Sequence, residues 1–161
     1  MTPPCATLPA LALEAVVSGR TVDLAALGRP AVFVFHGQDT AGAAMAVHAA
    51  VRTAHPDPDA VFMASVIDLR AFPSMFHGMV KPELEKAYHK AAAGLPAGAD
   101  PADWVVLLPD WKGAAHDACG VSDSTRRAAV LVADAAGRVV AHSQDPDPAT
   151  AAMAALADLT A

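Results

Sequence analysis

The 161-residue chain is poor in cysteine, in aromatic residues and in positive charge. Its two cysteines are too few for a disulfide framework or a four-thiolate zinc site, so both are predicted to be reduced thiols. Lys and Arg total 11 against 17 Asp and Glu. No basic patch is visible, which argues against nucleic acid as a partner because phosphate binding requires clustered cations. No apolar run reaches the roughly 18 residues of a membrane span, so a membrane partner is not expected either.

The amino-terminal stretch MTPPCATLPALALEAVV has no basic leader and is interrupted by prolines. It does not have the pattern of a secretory signal, and a cytoplasmic location is therefore the expectation. The length fits one domain over residues 1–161. Hydrophobic residues make up 54% of the chain, and many of them are alanines, which favours closely packed helices.

Strand and helix signals alternate along the chain. Val32–Phe35 is an apolar, β-branched and aromatic run with Gly-Arg-Pro before it and His-Gly-Gln-Asp after it, which is typical of a strand covered on both faces. The other predicted strands are Thr21–Leu24, Val61–Ile67, Val105–Leu108, Ala129–Ala133 and Arg138–His142. The predicted helices are Gly42–Thr53, Ala114–Cys119 and Pro148–Leu159, with another that begins near Pro82 after a loop, FPSMFHGM. This order predicts an α/β fold with parallel crossovers and one antiparallel hairpin at the end.

The order of these segments resembles the thioredoxin-like superfamily, and within it the redoxin and peroxiredoxin branch. Three segments follow the family's order. The entry segment is GRTVDLAAL, and the first central strand is AVFVF. After the active-site helix, the family's loop, strand, turn and strand correspond to DACGVSDSTRRAAVLVADAAGRVV. The resemblance implies a thioredoxin-like mixed central sheet flanked by helices. A loop-helix segment from about Ala71 to Asp103 would be inserted into it.

The reactive cysteines of that family are missing where the resemblance places them. Extending the chain without gaps from Phe35 puts Thr40-Ala41-Gly42-Ala43 at the Cys-x-x-Cys motif of a thioredoxin. Ala43 also falls near the cysteine of a peroxiredoxin, with Thr40 near the threonine of that motif. Thiol–disulfide exchange requires an attacking thiolate. The chain is therefore predicted to be redox-inactive, to carry no cofactor, and to bind a partner protein or a small ligand at this edge of the sheet.

Two groups of polar residues are candidates for that binding. Four residues follow the first central strand and are expected to lie at its carboxyl edge, where they could bind a polar ligand or a metal: His36, Gln38, Asp39 and Thr40. Asp39 or Thr40 could instead only cap the next helix. The resemblance places Arg126 and Arg127 in a loop facing the active site, where a guanidinium would favour a carboxylate or phosphate. They could also be a pair of solvated arginines.

Two alternatives remain open for the cysteines and nearby histidine. Cys119 or Cys5 could serve an atypical single-cysteine thiol oxidoreductase or peroxidase. Cys119 is otherwise expected to be a small buried hydrophobe, and Cys5, near the proline-rich terminus, to be more exposed. His116 and Cys119 are three residues apart and share a helix face, so they could supply two metal ligands.

The segment FPSMFHGMV combines soft ligands with large apolar side chains. Met75, His77 and Met79 could hold copper(I) or haem iron. The favoured interpretation is an interface, because a short surface loop does not expose this many large apolar side chains without a partner. Symmetric dimers are the commonest oligomers, so a homodimer is expected to bury Phe72, Met75, Phe76 and Met79.

Overall fold

The computed structural model describes residues 5–161, and within that range it contains seven strands and five α-helices. The strands are β1 (Ala12–Glu14), β2 (Thr21–Asp23), β3 (Ala31–His36), β4 (Phe62–Asp68), β5 (Leu107–Asp110), β6 (Ala129–Ala133) and β7 (Val139–Ser143). The helices are α1 (Ala41–Ala54), α2 (His77–Ala93), α3 (Pro101–Trp104), α4 (Ala114–Cys119) and α5 (Pro148–Thr160). None of the described helices is both long enough and apolar enough to cross a lipid bilayer.

Five of the strands form one mixed sheet in the order β5-β4-β3-β6-β7. β3 pairs in parallel with β4, and β4 pairs in parallel with β5. β6 is antiparallel to both β3 and β7. β1 and β2 form a separate antiparallel hairpin. The predicted mixed sheet with helices on both sides is confirmed, including the parallel crossovers and the closing antiparallel pair.

The core lies on both sides of β3, whose six residues are all buried. Successive side chains of a strand point to opposite faces, so this strand serves two apolar layers. Phe33 and Phe35 pack in one layer with α4 and the hairpin, while Val32 and Val34 pack in the other with α1 and α5. The carboxyl end of β3 therefore emerges between two packed layers, which holds the following loop in place.

The structure corrects the boundaries of the third predicted buried strand. β5 covers Leu107–Asp110 and not Val105–Leu108. The preceding residues form the short helix α3, with Pro101 at its first position and the Asp100 carboxylate accepting a hydrogen bond from the Ala102 amide at 3.0 Å. Because α3 extends to Trp104, β5 begins later in the chain than predicted.

Helix α2 begins at His77 and not near Pro82, so the predicted start was wrong. A 3-10 turn at Ser74–Phe76 leads directly into it, and much of the expected loop is helical. The His77 ring lies against the Trp111 ring, with 3.8 Å between ring centroids. Because this tertiary contact holds the first turn, the helix forms before the residue that the proline signal favours.

Candidate functional site

The loop after β3 is joined to a second loop through Thr40. The Thr40 hydroxyl accepts a hydrogen bond from the Gly37 amide at 2.9 Å and donates one to the Ser124 carbonyl at 2.7 Å. Thr40 occupies the N-cap position of α1, but no side chain accepts a hydrogen bond from that helix end. The interpretation that Asp39 or Thr40 caps the helix through its side chain is therefore wrong. Thr40 instead connects the carboxyl end of β3 to the segment that precedes β6.

That second segment, residues 122–128, is called the β6 loop here, and it is supported from β7 and from β3. The Gln144 side-chain amide donates hydrogen bonds to the carbonyl oxygens of Ser122 at 3.0 Å and Arg127 at 2.9 Å. Gly37 approaches so closely that a Cβ atom there would lie 2.9 Å from Cγ2 of Thr125. The backbone of the loop is thereby held on two sides while its arginine side chains stay in solvent.

A third support is a buried chain of polar side chains, Asp110–His116–Ser124. The His116 ring places Nδ1 2.8 Å from the Asp110 carboxylate and Nε2 2.7 Å from the Ser124 hydroxyl. The backbone amides of Ala115 and His116 also donate to that carboxylate. Burial raises the pKa of Asp110, but the hydrogen bonds from His116 and Ala115 outweigh it and leave the pKa below its ordinary value.

The same chain of residues has the connectivity of a Ser-His-Asp catalytic triad. Ser124 is 0% exposed, however, so its hydroxyl cannot meet a substrate in this structure. Both ring nitrogens of His116 are engaged, which removes His116 from the predicted pair of metal ligands. In the part of the chain that is described, no three His, Cys, Asp or Glu side chains are arranged to hold a metal ion. The arrangement links β5 and α4 to the β6 loop.

An open cleft of about 250 Å³ lies between the N-terminal end of α1 and the β6 loop. It brings together four of the six residues predicted to bind a ligand. The Arg126 side chain is 86% exposed, and its Nε lies 4.0 Å from the Asp123 carboxylate, so its guanidinium remains available to a ligand. The predicted residues that line the cleft are Asp39, Thr40, Arg126 and Arg127.

The other two predicted residues do not line the cleft. His36 is buried, and its Nδ1 donates a hydrogen bond to the Gly37 carbonyl at 2.8 Å. Burial lowers the pKa of His36, and the nearby His116 lowers it further, so the ring is neutral near pH 7. Gln38 is exposed outside the cleft lining. His36 and Gln38 are therefore not among the residues that line the cleft.

Both cysteines also lie away from the cleft. Cys119 is fully buried, as expected, and burial together with the neighbouring Cys5 raises the pKa of its thiol to about 12. Cys5 is half-buried and so more exposed than Cys119, as expected, and it packs against the core layer that contains Cys119. A thiol with so high a pKa is almost entirely protonated near neutral pH and is a poor nucleophile.

The apolar segment around α2 stays in solvent. Met75 and Met79 are 80% and 71% exposed, and Phe72 and Phe76 are 36% and 42% exposed. His77, a predicted soft ligand, stacks on Trp111 and places Nε2 3.2 Å from the Phe72 carbonyl. The chain's own sheet therefore does not bury the four apolar side chains predicted to form an interface.

Sequence reasoning missed several residues that shape the cleft. Gln144 and Asp145 follow β7 in a stretch, QDPDP, whose prolines and aspartates indicate only a turn. Asp110 and Ser124 carry no spacing pattern that links them to His116, because their contact depends on how β5, α4 and the β6 loop pack. The available signal was weak: Asp110 follows an apolar strand at the same sheet edge as the predicted site.

The sequence matches no protein-family profile and no curated protein at a significant level. Its structure is similar to several solved thiol–disulfide oxidoreductases. One is the exposed lipoprotein thioredoxin Etrx1 of Streptococcus pneumoniae, with a TM-score of 0.60, 16% identity, and coverage of 92% of this chain and 98% of that one. Another is a secreted Mycobacterium tuberculosis disulfide oxidoreductase homologous to E. coli DsbE, with a TM-score of 0.61, 17% identity, and 92% and 96% coverage.

A third similar structure is a thiol-disulfide oxidoreductase from Bacteroides fragilis, with a TM-score of 0.60, 12% identity, and 93% and 98% coverage. Together these similarities define the class of fold: the chain has the thioredoxin-like fold over nearly its whole length, as the sequence predicted. A shared fold does not fix the activity, which depends on the residues of the site.

Proposed function

We propose that this protein is a redox-inactive member of the thioredoxin-like fold class that binds a partner polypeptide in the cleft beside α1. One observation carries the proposal. The cleft lies at the N-terminal end of α1, where the resemblance places reactive cysteines, and it is lined by two exposed arginines but by no cysteine. Cys119, which was predicted as a candidate catalytic thiol, is buried, and the pKa of its thiol is about 12.

The lining of the cleft favours a polypeptide over a small-molecule cofactor. A volume of about 250 Å³ lies below the roughly 300–1,000 Å³ of most ligand pockets, and charged side chains share the walls with small glycine, alanine and proline residues. Arg126 and Arg127 can pair with a carboxylate, and Asp39 and Asp145 can accept from amide or ammonium groups. Such a mixture suits one or two polar side chains and the backbone of a partner segment.

The supports of the β6 loop add to this argument. Thr40 and Gln144 hydrogen-bond to the loop backbone and the buried His116 to the Ser124 hydroxyl, so the loop is held before any partner arrives. A loop that is already in place loses little conformational freedom on binding, which favours affinity. The proposed partner would therefore meet a formed surface with exposed arginine side chains at its rim.

The redox half of the proposal is tested by turnover assays. The purified protein is expected to reduce insulin disulfides and to consume hydrogen peroxide no faster than a buffer control, because no thiolate lines the cleft. Catalytic turnover that disappears in Cys5→Ser or Cys119→Ser would contradict this half and favour the single-cysteine thiol enzyme.

The binding half is tested by NMR titration with short peptides that carry Asp and Glu side chains. Amide shifts are expected at residues 39–43 and 126–128. The double variant Arg126→Ala/Arg127→Ala should bind roughly tenfold or more weakly, as expected for losing charged hydrogen bonds of about 1.4 kcal/mol or more. Arg138→Ala, an exposed arginine in the β6–β7 turn, is the matched control. Shifts confined to other surfaces, or equal affinity in both variants, would overturn the binding site.

We further propose that residues 1–161 are one domain that self-associates as a cytoplasmic homodimer through an apolar patch. The patch consists of Phe72, Met75, Phe76 and Met79, and its support is the exposure of all four side chains. Self-association would remove them from water without requiring another protein. Haem or metal binding by the same segment receives no comparable support, because the His77 ring is already stacked on Trp111.

A further inference from the structure

The only two cysteines of the chain, 114 positions apart in sequence, meet at one apolar layer of the fold, with Cys119 inside the layer and Cys5 packed against it. Backbone pairing leads Cys5 to this place. The amide of Leu8 donates to the Gly137 carbonyl at 2.8 Å, and the amide of Val139 donates to the Ala6 carbonyl at 2.9 Å. Residues 6–8 thus run along the β6–β7 hairpin. This pairing places Cys5 on the face of the sheet against which α4 packs.

Cys119 meets it at the end of α4. The helix ends at Gly120, whose φ of 67° lies in the left-handed region that glycine adopts without strain. The Cys119 side chain is turned into the core layer, and the Cys5 side chain packs against that layer and contacts the Cys119 thiol. Leu8, Ala115 and Val121 belong to the same apolar layer.

We propose that Cys5 and Cys119 form a disulfide when the protein meets an oxidising disulfide, and that this bond fastens the amino-terminal segment to α4. The reaction is thiol–disulfide exchange with an external disulfide such as oxidised glutathione. The Cys5 thiolate attacks that disulfide and releases one thiol. The Cys119 sulfur then gives up its proton, attacks the Cys5 sulfur of the mixed disulfide and releases the second thiol.

The balance of this reaction is complete: two protein thiols are oxidised to one disulfide, and the external disulfide is reduced to two thiols that receive both protons. Cys5 reacts first because it is only half-buried, whereas Cys119 is fully buried and stays protonated. The second step therefore needs residues near Cys5 to move briefly. Oxidation is expected to be slow and to give a single crosslink, not repeated turnover.

The two redox states differ in how the amino-terminal segment is held. In the reduced state it depends on backbone hydrogen bonds to the β6–β7 hairpin and on apolar contacts. In the oxidised state the bond closes a loop that spans most of the chain, which restricts the unfolded ensemble. A glutathione-reduced cytoplasm would keep the thiols free, and an oxidising compartment would close the bond.

The test uses the full chain, treated with oxidised glutathione and compared with the dithiothreitol-reduced protein. Intact mass should fall by about 2 Da without a glutathione adduct. Non-reducing digestion with trypsin should join the peptide of residues 1–20 to that of residues 113–126. The melting temperature should rise by roughly 5–10 °C on oxidation.

Cys5→Ser is the control, because it removes the half-buried partner and leaves the buried Cys119 in its layer. This variant should melt at one temperature in both conditions. The proposal is overturned if the folded wild type keeps two free thiols, if it stops at a glutathione adduct on Cys5, or if it forms only disulfides between molecules. Because these outcomes concern neither arginine of the cleft, they are independent of the binding proposal.

Discussion

At the scale of single residues, the buried His116 decides how the candidate site is built. Its ring joins a carboxylate at the end of β5 to a hydroxyl in the β6 loop, and it also meets Phe35 edge-on with 5.0 Å between ring centroids. A buried hydrogen-bonded chain stabilises a structure only while every member keeps its partner. The residues of this chain are therefore expected to be sensitive to small chemical changes.

Replacing the carboxylate in this chain should destabilise the fold. Asp110→Asn keeps the shape but removes the charge that accepts from the His116 ring and from two backbone amides. We expect a loss of roughly 2–4 kcal/mol in the free energy of unfolding, measured by urea denaturation. Asp117→Asn is the control, because Asp117 is 74% exposed and pairs only with Arg70, so its loss should stay below about 1 kcal/mol. Equal losses in the two variants would contradict the role given to His116.

A second histidine should make stability depend on pH. His48 lies on α1 with Nε2 3.1 Å from the Ser65 hydroxyl. Burial, assisted by the charges of His36 and Arg52, lowers its pKa from 6.5 to about 4. The unfolded chain binds this proton below about pH 6.5 while the folded chain does not, so stability falls as the pH drops from about 6.5 towards 4.

The expected loss over that interval is at most about 3 kcal/mol from His48, and the lowered pKa of His36 acts in the same direction. Thermal melts between about pH 7.5 and about pH 4.5 check this, because they begin about one unit above the ordinary pKa of 6.5 and cover most of the interval down to the lowered pKa of about 4. His48→Gln cannot be protonated and should show a clearly shallower decline. His89→Gln, at an exposed position, is the control and should follow the wild type. Parallel curves for all three proteins would contradict the assignment to His48.

At the scale of elements, the site consists of two loops that are held to each other. The loop after β3 and the β6 loop meet where Gly37 approaches Thr125 and where the Thr40 hydroxyl reaches the Ser124 carbonyl. These contacts connect neighbouring strands of the sheet, β3 and β6, at one edge. The shape of the cleft follows from this connection and not from the N-terminal end of α1 alone.

Thr40 is the residue whose replacement tests that connection. Thr40→Val keeps the shape but leaves the Gly37 amide and the Ser124 carbonyl without their partner, so a loss of roughly 1–3 kcal/mol in the free energy of unfolding is expected. Thr40→Ser keeps the hydroxyl and should remain close to the wild type. Asp39→Ala should change stability by less than about 0.5 kcal/mol, because no side chain caps α1. A larger loss in Asp39→Ala than in Thr40→Val would restore the capping interpretation.

At the scale of the whole molecule, the apolar patch is the surface that calls for a partner. Its four side chains lie on the 3-10 turn, at the start of α2 and just before them, and all four are exposed. Multi-angle light scattering is expected to give the mass of a dimer for the wild type and of a folded monomer for Phe76→Asp. Lys86→Asp, an exposed charge reversal further along α2, is the control and should remain a dimer. A wild-type monomer would remove the proposed interface.

The sequence by itself determined the class of fold and the location of the site edge. The strands β3, β4 and β6 are mostly apolar, with polar residues only at His36, Ser65 and Asp68, and such runs predict buried strands because most of their side chains must leave water. The absence of cysteine from residues 40–43 could be seen as directly, since these residues are Thr-Ala-Gly-Ala. Both features depend only on residues that are close together in the sequence, so the sequence is sufficient to predict them.

Only the tertiary structure decided which side chains meet. His36 does not line the cleft because it lies at the buried end of β3, whereas Asp145, in a turn distant in sequence, does line it. α2 began early because Trp111 holds the ring of His77. Cys5 lies against the layer that contains Cys119 because residues 6–8 pair with the β6–β7 hairpin. Contacts between residues far apart in sequence depend on the packing of whole elements, and no spacing along the chain encodes them.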